Sequence, residues 1–252
     1  MDLYKSIVAY DGTDFQGFQR QARGLRTVQS VLEQGLQALG WPGPSLKAAG
    51  RTDAGVHASG QVIAFQLDWP HDADHLTAAL NAHLPDDVSV RTTVVAPEGF
   101  EPRFRALSRR YRYRLLLDAA PDPLRERFAW RIWPEPDLAA MRQAAELLVG
   151  RHDFGALGRA PIPGGHTVRT IFRADWQVAP PEVSLILVAD AFLHRMVRRI
   201  VALLMEVGRG RTDPNRLRSL LDAPGIPVRG RIAPAHGLCL EAVAYGESDG
   251  WS

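Results

Sequence analysis

One order of segments occurs twice along this chain, and it restricts the fold more than any other feature. In the first half "LYKSIVAY" (3–10) alternates with period two and reads as a strand. "TVQSVLEQGLQALG" (27–40) reads as a helix: Thr27 can cap it, apolar residues fall at 28, 32, 36 and 39, and Gly40 ends it. A short strand near "SLKAA" (45–49) and a strand over "QVIAFQL" (61–67) follow. Then come a helix over "DADHLTAALNAHL" (72–84), stopped by Pro85, and a strand over "DVSVRTTVV" (87–95). The second half spells the same order: a strand at 109–117 and a helix at 137–150, closed by Gly150. Strands at 167–179 and 182–190 are joined across Pro180 and Pro181, and a helix at 194–208 and a strand at 238–245 complete it. Strand, helix, strand, strand, helix, strand is the split βαβ pattern. It predicts an α+β protein of two ferredoxin-like (βαββαβ) pseudo-repeats, residues 1–100 and 101–252. The two are expected to share an extended antiparallel sheet, with helices on one side and a central catalytic cleft. The repeat lies in the order of elements and not in residue-level similarity.

Several function classes drop out on composition. The longest apolar stretches, such as "SLILV" (184–188) and "IVALLM" (200–205), fall well short of the roughly 18 residues of a membrane helix. "MDLYKSIVAY" carries Asp2 and turns directly into an alternating pattern, which predicts no signal peptide. Cys239 is the single cysteine, so an intrachain disulfide and a multi-cysteine zinc site are excluded. A cytoplasmic protein is expected. The net charge is only +2, but Lys5 and Lys47 are the only lysines among 30 basic residues. Coding bias accounts for part of that arginine excess. It does not account for "EPRFRALSRRYRYR" (101–114), where six arginines face one glutamate and form a patch suited to phosphates.

Three places along the chain could carry chemistry. In "AAGRTDAGVHASGQVIAF" (48–65) glycine recurs at 50, 55 and 60, and Asp53 lies between Arg51 and His57, both possible cations. A carboxylate held by guanidinium and backbone N–H groups stays ionised and can serve as nucleophile or general base without a metal. The competing reading is an Asx-turn in which Asp53 only caps the loop. In the strand "RRYRYRL", Arg110, Arg112 and Arg114 share one face, and Tyr111 and Tyr113 the other. A tyrosine ring near basic residues can stack on a nucleobase; Tyr113 reads better as a core residue. In "HRMVRRIVALLMEVG" (194–208), Met196, Val197, Ile200, Val201, Leu203, Leu204 and Val207 form an apolar face, with Arg195, Arg199 and Glu206 opposite. Arg198 joins neither set, falling beside Val201 and Met205 at the apolar edge. It either takes a carboxylate or phosphate partner or snorkels to the surface.

Other motifs fail on single residues. "AYDGTDF" has Ala9 where a phosphatase D-x-D-G-T pattern needs its first aspartate. "HDADH" (71–75) has Asp72 where the zinc-protease helix needs glutamate, and "GRTDAG" lacks the G-K-[ST] of a Walker loop. No metal or nucleotide cofactor is expected.

The chain closely resembles the TruA-type tRNA pseudouridine synthases. The stretches that carry the resemblance are "YDGTDFQGFQRQ" (10–21), "TVQSVLE" (27–33), "GRTDAGVHASGQV" (50–62), "NAHLP" (81–85) and "FEPRFRALSRRYRY" (100–113). It continues through "GRHDF" (150–154), "TVRTI" (167–171), "FLHRMVRRIVALLMEVG" (192–208) and "GLCLEAV" (237–243). The match runs nearly end to end and in order, while the linker "GRAPIPGGH" (158–166) and the tail after Gly246 carry nothing diagnostic. The resemblance implies a homodimer that converts uridine to pseudouridine at positions 38 to 40 of tRNA. It implies that Asp53 is the catalytic aspartate, Tyr111 the tyrosine that contacts substrate, and Arg198 the arginine that pairs with Asp53. Leu238 then matches a buried leucine beside the site, and Arg51 supports the aspartate from the same loop.

Overall fold

The computed structural model describes residues 1–252 except 23, 161, 163, 224–229, 231 and 247–252. The tail after Gly246 and two prolines of the 158–166 linker therefore lie outside the described residues. The chain forms two compact units: Met1–Leu107 with the chain from Cys239 onward, and Ser108–Leu238.

The first unit is built around β1 (Asp2–Tyr10), whose alternation places Tyr4, Ser6, Val8 and Tyr10 inside. α1 (Val28–Ala38) starts where its first residues cap it. The Thr27 side chain accepts from the Ser30 N–H, and the Thr27 N–H donates to Ser30 Oγ at 3.1 Å. This is a capping box with serine in the place usual for glutamate. Val28, Leu32 and Leu36 are then buried. β2 (Lys47–Ala48) and β3 (His57–Leu67) follow, then α2 (Ala73–Ala82), capped by Asp72, and β4 (Val88–Val95). β1 pairs antiparallel with both β3 (Ser6 opposite Ile63) and β4 (Ser6 opposite Thr93), and β2 pairs antiparallel with β3. The order across this sheet is β4-β1-β3-β2. α2 packs against β4 and against α1. Ser6 and Thr93, both buried, satisfy each other through a 2.8 Å hydroxyl–hydroxyl bond.

The second unit contains β5 (Ser108–Leu117), β6 (Trp130–Ile132), α3 (Leu138–Glu146) and β7 (Gly150–Asp153). It continues with β8 (Val168–Ala179), β9 (Glu182–Ala189), α4 (Met196–Gly208) and α5 (Asn215–Asp222). The sheet order is β5-β9-β8-β7, antiparallel throughout, with β6 added parallel to β5. α3 packs on α4 and on β8, and α5 lies against β7. β9 is buried from Val183 to Ala189, which explains its run of apolar residues without alternation.

A 3-10 turn at Ala235–Gly237 leads into β10 (Leu238–Ala244). β10 runs parallel to β3, with Cys239 opposite His57 and Leu240 opposite Ala58, and thereby rejoins the first unit. The fold is α+β, each unit carrying a mostly antiparallel sheet. No described helix is long and apolar enough to cross a membrane.

Three details differ from the sequence reading. Gly150 does not close a helix: α3 ends at Glu146, and Gly150, at φ +113°, opens β7. β3 begins at His57 rather than at 61, because ladders to β1 and β10 hold "HASG" extended despite its weak strand propensity. β6, β7 and α5 were not anticipated.

Candidate active-site loop

Residues 49–56 connect β2 to β3, and within them Thr52 is buried, Asp53 half-buried and Arg51 exposed. The turn itself is closed by main chain, the Val56 N–H donating to the Asp53 carbonyl at 3.2 Å. Its position is fixed by the segment that follows β1. The Phe18 N–H donates to the Thr52 carbonyl at 3.0 Å, and the Gly55 N–H to the Phe15 carbonyl at 3.4 Å. Underneath, the Tyr10 hydroxyl and Thr52 Oγ1 are 2.8 Å apart, and Gln61 Nε2 donates to the Gly50 carbonyl at 3.1 Å.

Two glycines make this approach possible. A Cβ on Gly12 would lie 2.0 Å from the Val56 carbonyl oxygen, so no side chain fits there. Gly17 takes a φ of +92°, and a Cβ on it would press on the backbone on either side of Asp53, 3.1 Å from Thr52 O and 3.3 Å from Ala54 N. "YDGTDFQGF" is thus the mould in which the Asp53 loop is set. That is why its glycines and aromatics lie so close together. Phe15 and Phe18 are buried, and the Arg26 guanidinium covers the Phe15 ring at 4.1 Å while forming a two-point bond to Asp87.

His57, read from the sequence as a second cation beside Asp53, is buried and turned toward the β1 end of the loop. Its Nδ1 accepts from the Gly12 N–H at 2.9 Å and lies 3.1 Å from Asp11 Oδ1. One nitrogen cannot accept from Gly12 and donate to Asp11 at once.

Arg198, Tyr111 and Leu238 belong to the second unit, whereas Asp53 and Arg51 belong to the first. α4 buries Met196, Val197, Ile200, Val201, Leu204 and Val207, as its apolar face predicts, while Leu203 is only half-buried. Arg198 is half-buried. Its Nε donates to the Ala233 carbonyl at 2.8 Å, and the Ala233 N–H returns a bond to the Arg198 carbonyl at 3.1 Å. The next residue, Pro234, accepts from the Tyr113 hydroxyl at 2.9 Å. Arg198 and Tyr113 therefore hold the chain just before β10, and the Leu238 that follows is buried. Tyr113 is fully buried, as its core reading expects, and burial pushes its pKa up. Tyr111 is half-buried, its ring edge-on to Phe192 at 5.0 Å and 82°.

The basic stretch 101–114 is less free than its sequence suggests. Arg109 donates to the Asp190 carbonyl at 2.6 Å, Arg114 lies 3.6 Å from Glu182, and Arg112 reaches Gln177 at 3.4 Å. Arg103 and Arg105 are exposed, on either side of Phe104, which is 81% exposed. Among the described residues, no group of three or more His, Cys, Asp or Glu is placed to hold a metal ion. Sequence reasoning missed Tyr10, Thr52 and Gln61. Their signal lay only in the closeness of "VAY" and "GRTDAG" to segments already singled out.

The sequence matches the family model described as tRNA pseudouridine synthase over residues 7–105 and 144–246, and so over parts of both units. It is 40% identical over 249 residues to tRNA pseudouridine synthase A of Syntrophotalea carbinolica, covering 99% of this chain and 98% of the relative. It is 41% identical to the protein of that name from Methylobacterium nodulans, covering 98% of each chain. The Bacillus subtilis protein of the same name is 37% identical over 243 residues, covering 96% of this chain and 98% of the relative. With both stretches matched and relatives aligned over almost their full length, the chain belongs to the tRNA pseudouridine synthase family.

Proposed function

We propose that this protein isomerises uridine to pseudouridine at positions 38, 39 and 40 in the anticodon stem and loop of tRNA, with Asp53 as the catalytic carboxylate. The observation that carries the reading is the mounting of Asp53. Its turn is closed by main chain and gripped on both sides, which fixes the backbone that carries the carboxylate. A half-buried side chain on backbone held this firmly is suited to act on something that arrives from outside.

The chemistry asks little else of the protein. Uracil leaves C1′ through N1, turns, and reattaches through C5, with no change in electron count. A carboxylate against the nucleoside can assist by attacking C1′ or C6, or by removing a sugar proton. Arg51 and Arg198 are proposed as active-site support that keeps the carboxylate an anion, Tyr111 as the ring that contacts the base, and Leu238 as an apolar neighbour. Extracting a stacked base costs a few kcal/mol, which arginine–phosphate contacts and stacking on Tyr111 offset. The element order and the sheet order β4-β1-β3-β2 support reading the protein as two ferredoxin-like repeats, residues 1–100 carrying the catalytic loop and 101–252 the basic strand and Arg198. We assign it to the cytoplasm as a homodimer on the family resemblance.

Forming the C5–C1′ bond expels the C5 hydrogen, so tritium release from tRNA labelled at uridine C5 reports the reaction directly. Asp53→Asn keeps the shape and turn-forming ability and removes the charge. It is expected to fold, to bind tRNA, and to release tritium at least ~1000-fold more slowly, in the range lost with an essential acid–base group. Turnover comparable to the wild type would sink the assignment and leave Asp53 as a turn residue.

A further inference from the structure

Beneath the Asp53 loop lies a small polar set that the reaction chemistry does not call for. Tyr10 is 4% exposed, Thr52 7% and Gln61 not at all. Burying a phenol, a hydroxyl and an amide together is costly unless each finds partners, and here they find one another. The Tyr10 hydroxyl is 2.8 Å from Thr52 Oγ1, and the Gln61 side chain interacts with the same phenol. Gln61 Nε2 also donates to the Gly50 carbonyl at 3.1 Å, while Gln61 Oε1 accepts from the Val62 N–H at 3.2 Å. The set touches the loop at two points, Gly50 and Thr52, one on each side of Arg51 and both just ahead of Asp53.

Strands anchor all of this. Tyr10 is the last residue of β1 and pairs with Ala58 at the start of β3, and Gln61 stands in β3 opposite Val8. The rigid sheet is therefore tied directly to the loop backbone from below, while Phe18 and Gly17 grip the same peptide from the other side. An apolar core would have filled this space equally well but left the loop free to slide. A set of directional bonds removes that freedom.

We propose that Tyr10, Thr52 and Gln61 are positioning residues for the pseudouridine reaction, a buried hydrogen-bonded floor that fixes where the Asp53 carboxylate stands. The assignment rests on Asp53 being the catalytic group. None of the three reaches substrate. They act through the backbone at 50 and 52, and their effect belongs in the chemical step and not in tRNA affinity.

The test measures single-turnover tritium release at saturating enzyme, tRNA dissociation constants and thermal unfolding midpoints on the same preparations. Tyr10→Phe removes one oxygen and keeps the ring. Its rate constant is expected to fall about 10- to 100-fold, the loss typical of a slightly misplaced catalytic group, with tRNA affinity within twofold of the wild type. Thr52→Val removes the partner and should fall as far. The double variant should be no slower than the slower single variant, because both break one bond. Thr52→Ser restores the hydroxyl and should recover most of the rate, which a loss through instability alone would not predict. Should Tyr10→Phe not fold, the Thr52→Val and Thr52→Ser pair decides alone. A wild-type rate constant in folded Tyr10→Phe or Thr52→Val, or losses that simply multiply in the double variant, overturns the proposal. Asp53→Asn run alongside separates the two readings: an active Asp53→Asn breaks the catalytic assignment, whereas an inactive one beside a fully active Tyr10→Phe breaks only this inference.

Discussion

At the scale of single residues, His236 shows how the second unit responds to pH. It is half-buried in the 3-10 turn before β10, and burial lowers its pKa from the ordinary histidine value. Glu126 and a bond to the Ala129 backbone oppose the shift, and the nearby Arg198 charge adds to it. The unfolded chain therefore binds a proton at a pH where the folded protein does not. Stability from this residue is complete above the unfolded pKa, about 6.5, and is lost as pH falls from there toward the lower folded pKa. Thermal unfolding midpoints from pH 8 to 5 should show a fall below about 6.5 that is shallower in His236→Gln; identical slopes would exclude His236 as its source. Much of this chemistry was legible in the sequence, but unevenly. Asp53 stood out because a carboxylate among glycines and an arginine is unusual, and Arg198 because a charge broke an apolar helical face. Tyr10, Thr52 and Gln61 were silent, since a buried polar residue whose partners lie 42 positions away looks like any other strand or loop residue. Nor does spacing reveal that Arg198 bonds the backbone at Ala233, since nothing local links position 198 to a loop 35 residues later.

At the scale of elements, α1 is tied to its surroundings by charge as well as by its apolar face. Glu33, 2% exposed, accepts from Arg20 at 2.6 Å, from Gln29 Nε2 at 2.8 Å and from the Leu46 N–H at 3.1 Å. Gln29 in turn accepts from the Arg20 N–H, so the helix, the "FQRQ" segment and the approach to β2 share one carboxylate. Arg20 is half in water and gains only modestly from the pair. The Leu46 N–H belongs to a buried residue and has far more to lose. Glu33→Ala should therefore destabilise the protein by about 1–3 kcal/mol, the cost of leaving a buried donor unsatisfied. Glu33→Gln, which keeps an acceptor, should cost less. Urea denaturation ranks the two, and equal midpoints would show that water replaces the carboxylate freely. Helices with a cap and a periodic face, α1 and α2, were read to within a few residues, because capping and burial agree. The short β6 and β7 were not, since three or four residues carry no period and exist only because β5 and β8 offer ladder partners. α5 did carry a signal, with Leu217, Leu220 and Leu221 on one face behind Pro214, but it has no side-chain cap and its helical run is brief.

At the scale of the whole molecule, a net charge of only +2 says little about RNA, and the local field of β5 says more. Arg110 and Arg112 are half-buried on that strand, Arg112 reaching Gln177, and Arg109 and Arg114 also meet acceptors of their own unit. Arg110→Gln and Arg112→Gln should each weaken tRNA binding and reduce the slope of log affinity against log salt by about 1, leaving the single-turnover rate largely intact. Binding measured at four or five salt concentrations tests this, and an unchanged slope in both variants would move the RNA face elsewhere. β10 carries a different consequence. It sits beside His57 and Ala58 at the exit of the Asp53 loop, yet it lies beyond residue 237 in the chain. On the ribosome, residues 1–107 emerge with the loop already in hand but with the His57–Ala58 stretch of one β3 edge still open. They must wait for residues 108–238 before that edge is covered. A chain interrupted before that point holds the whole loop and lacks its neighbour. In order of synthesis, this neighbour of the loop's exit therefore comes after the segment that carries Tyr111 and Arg198.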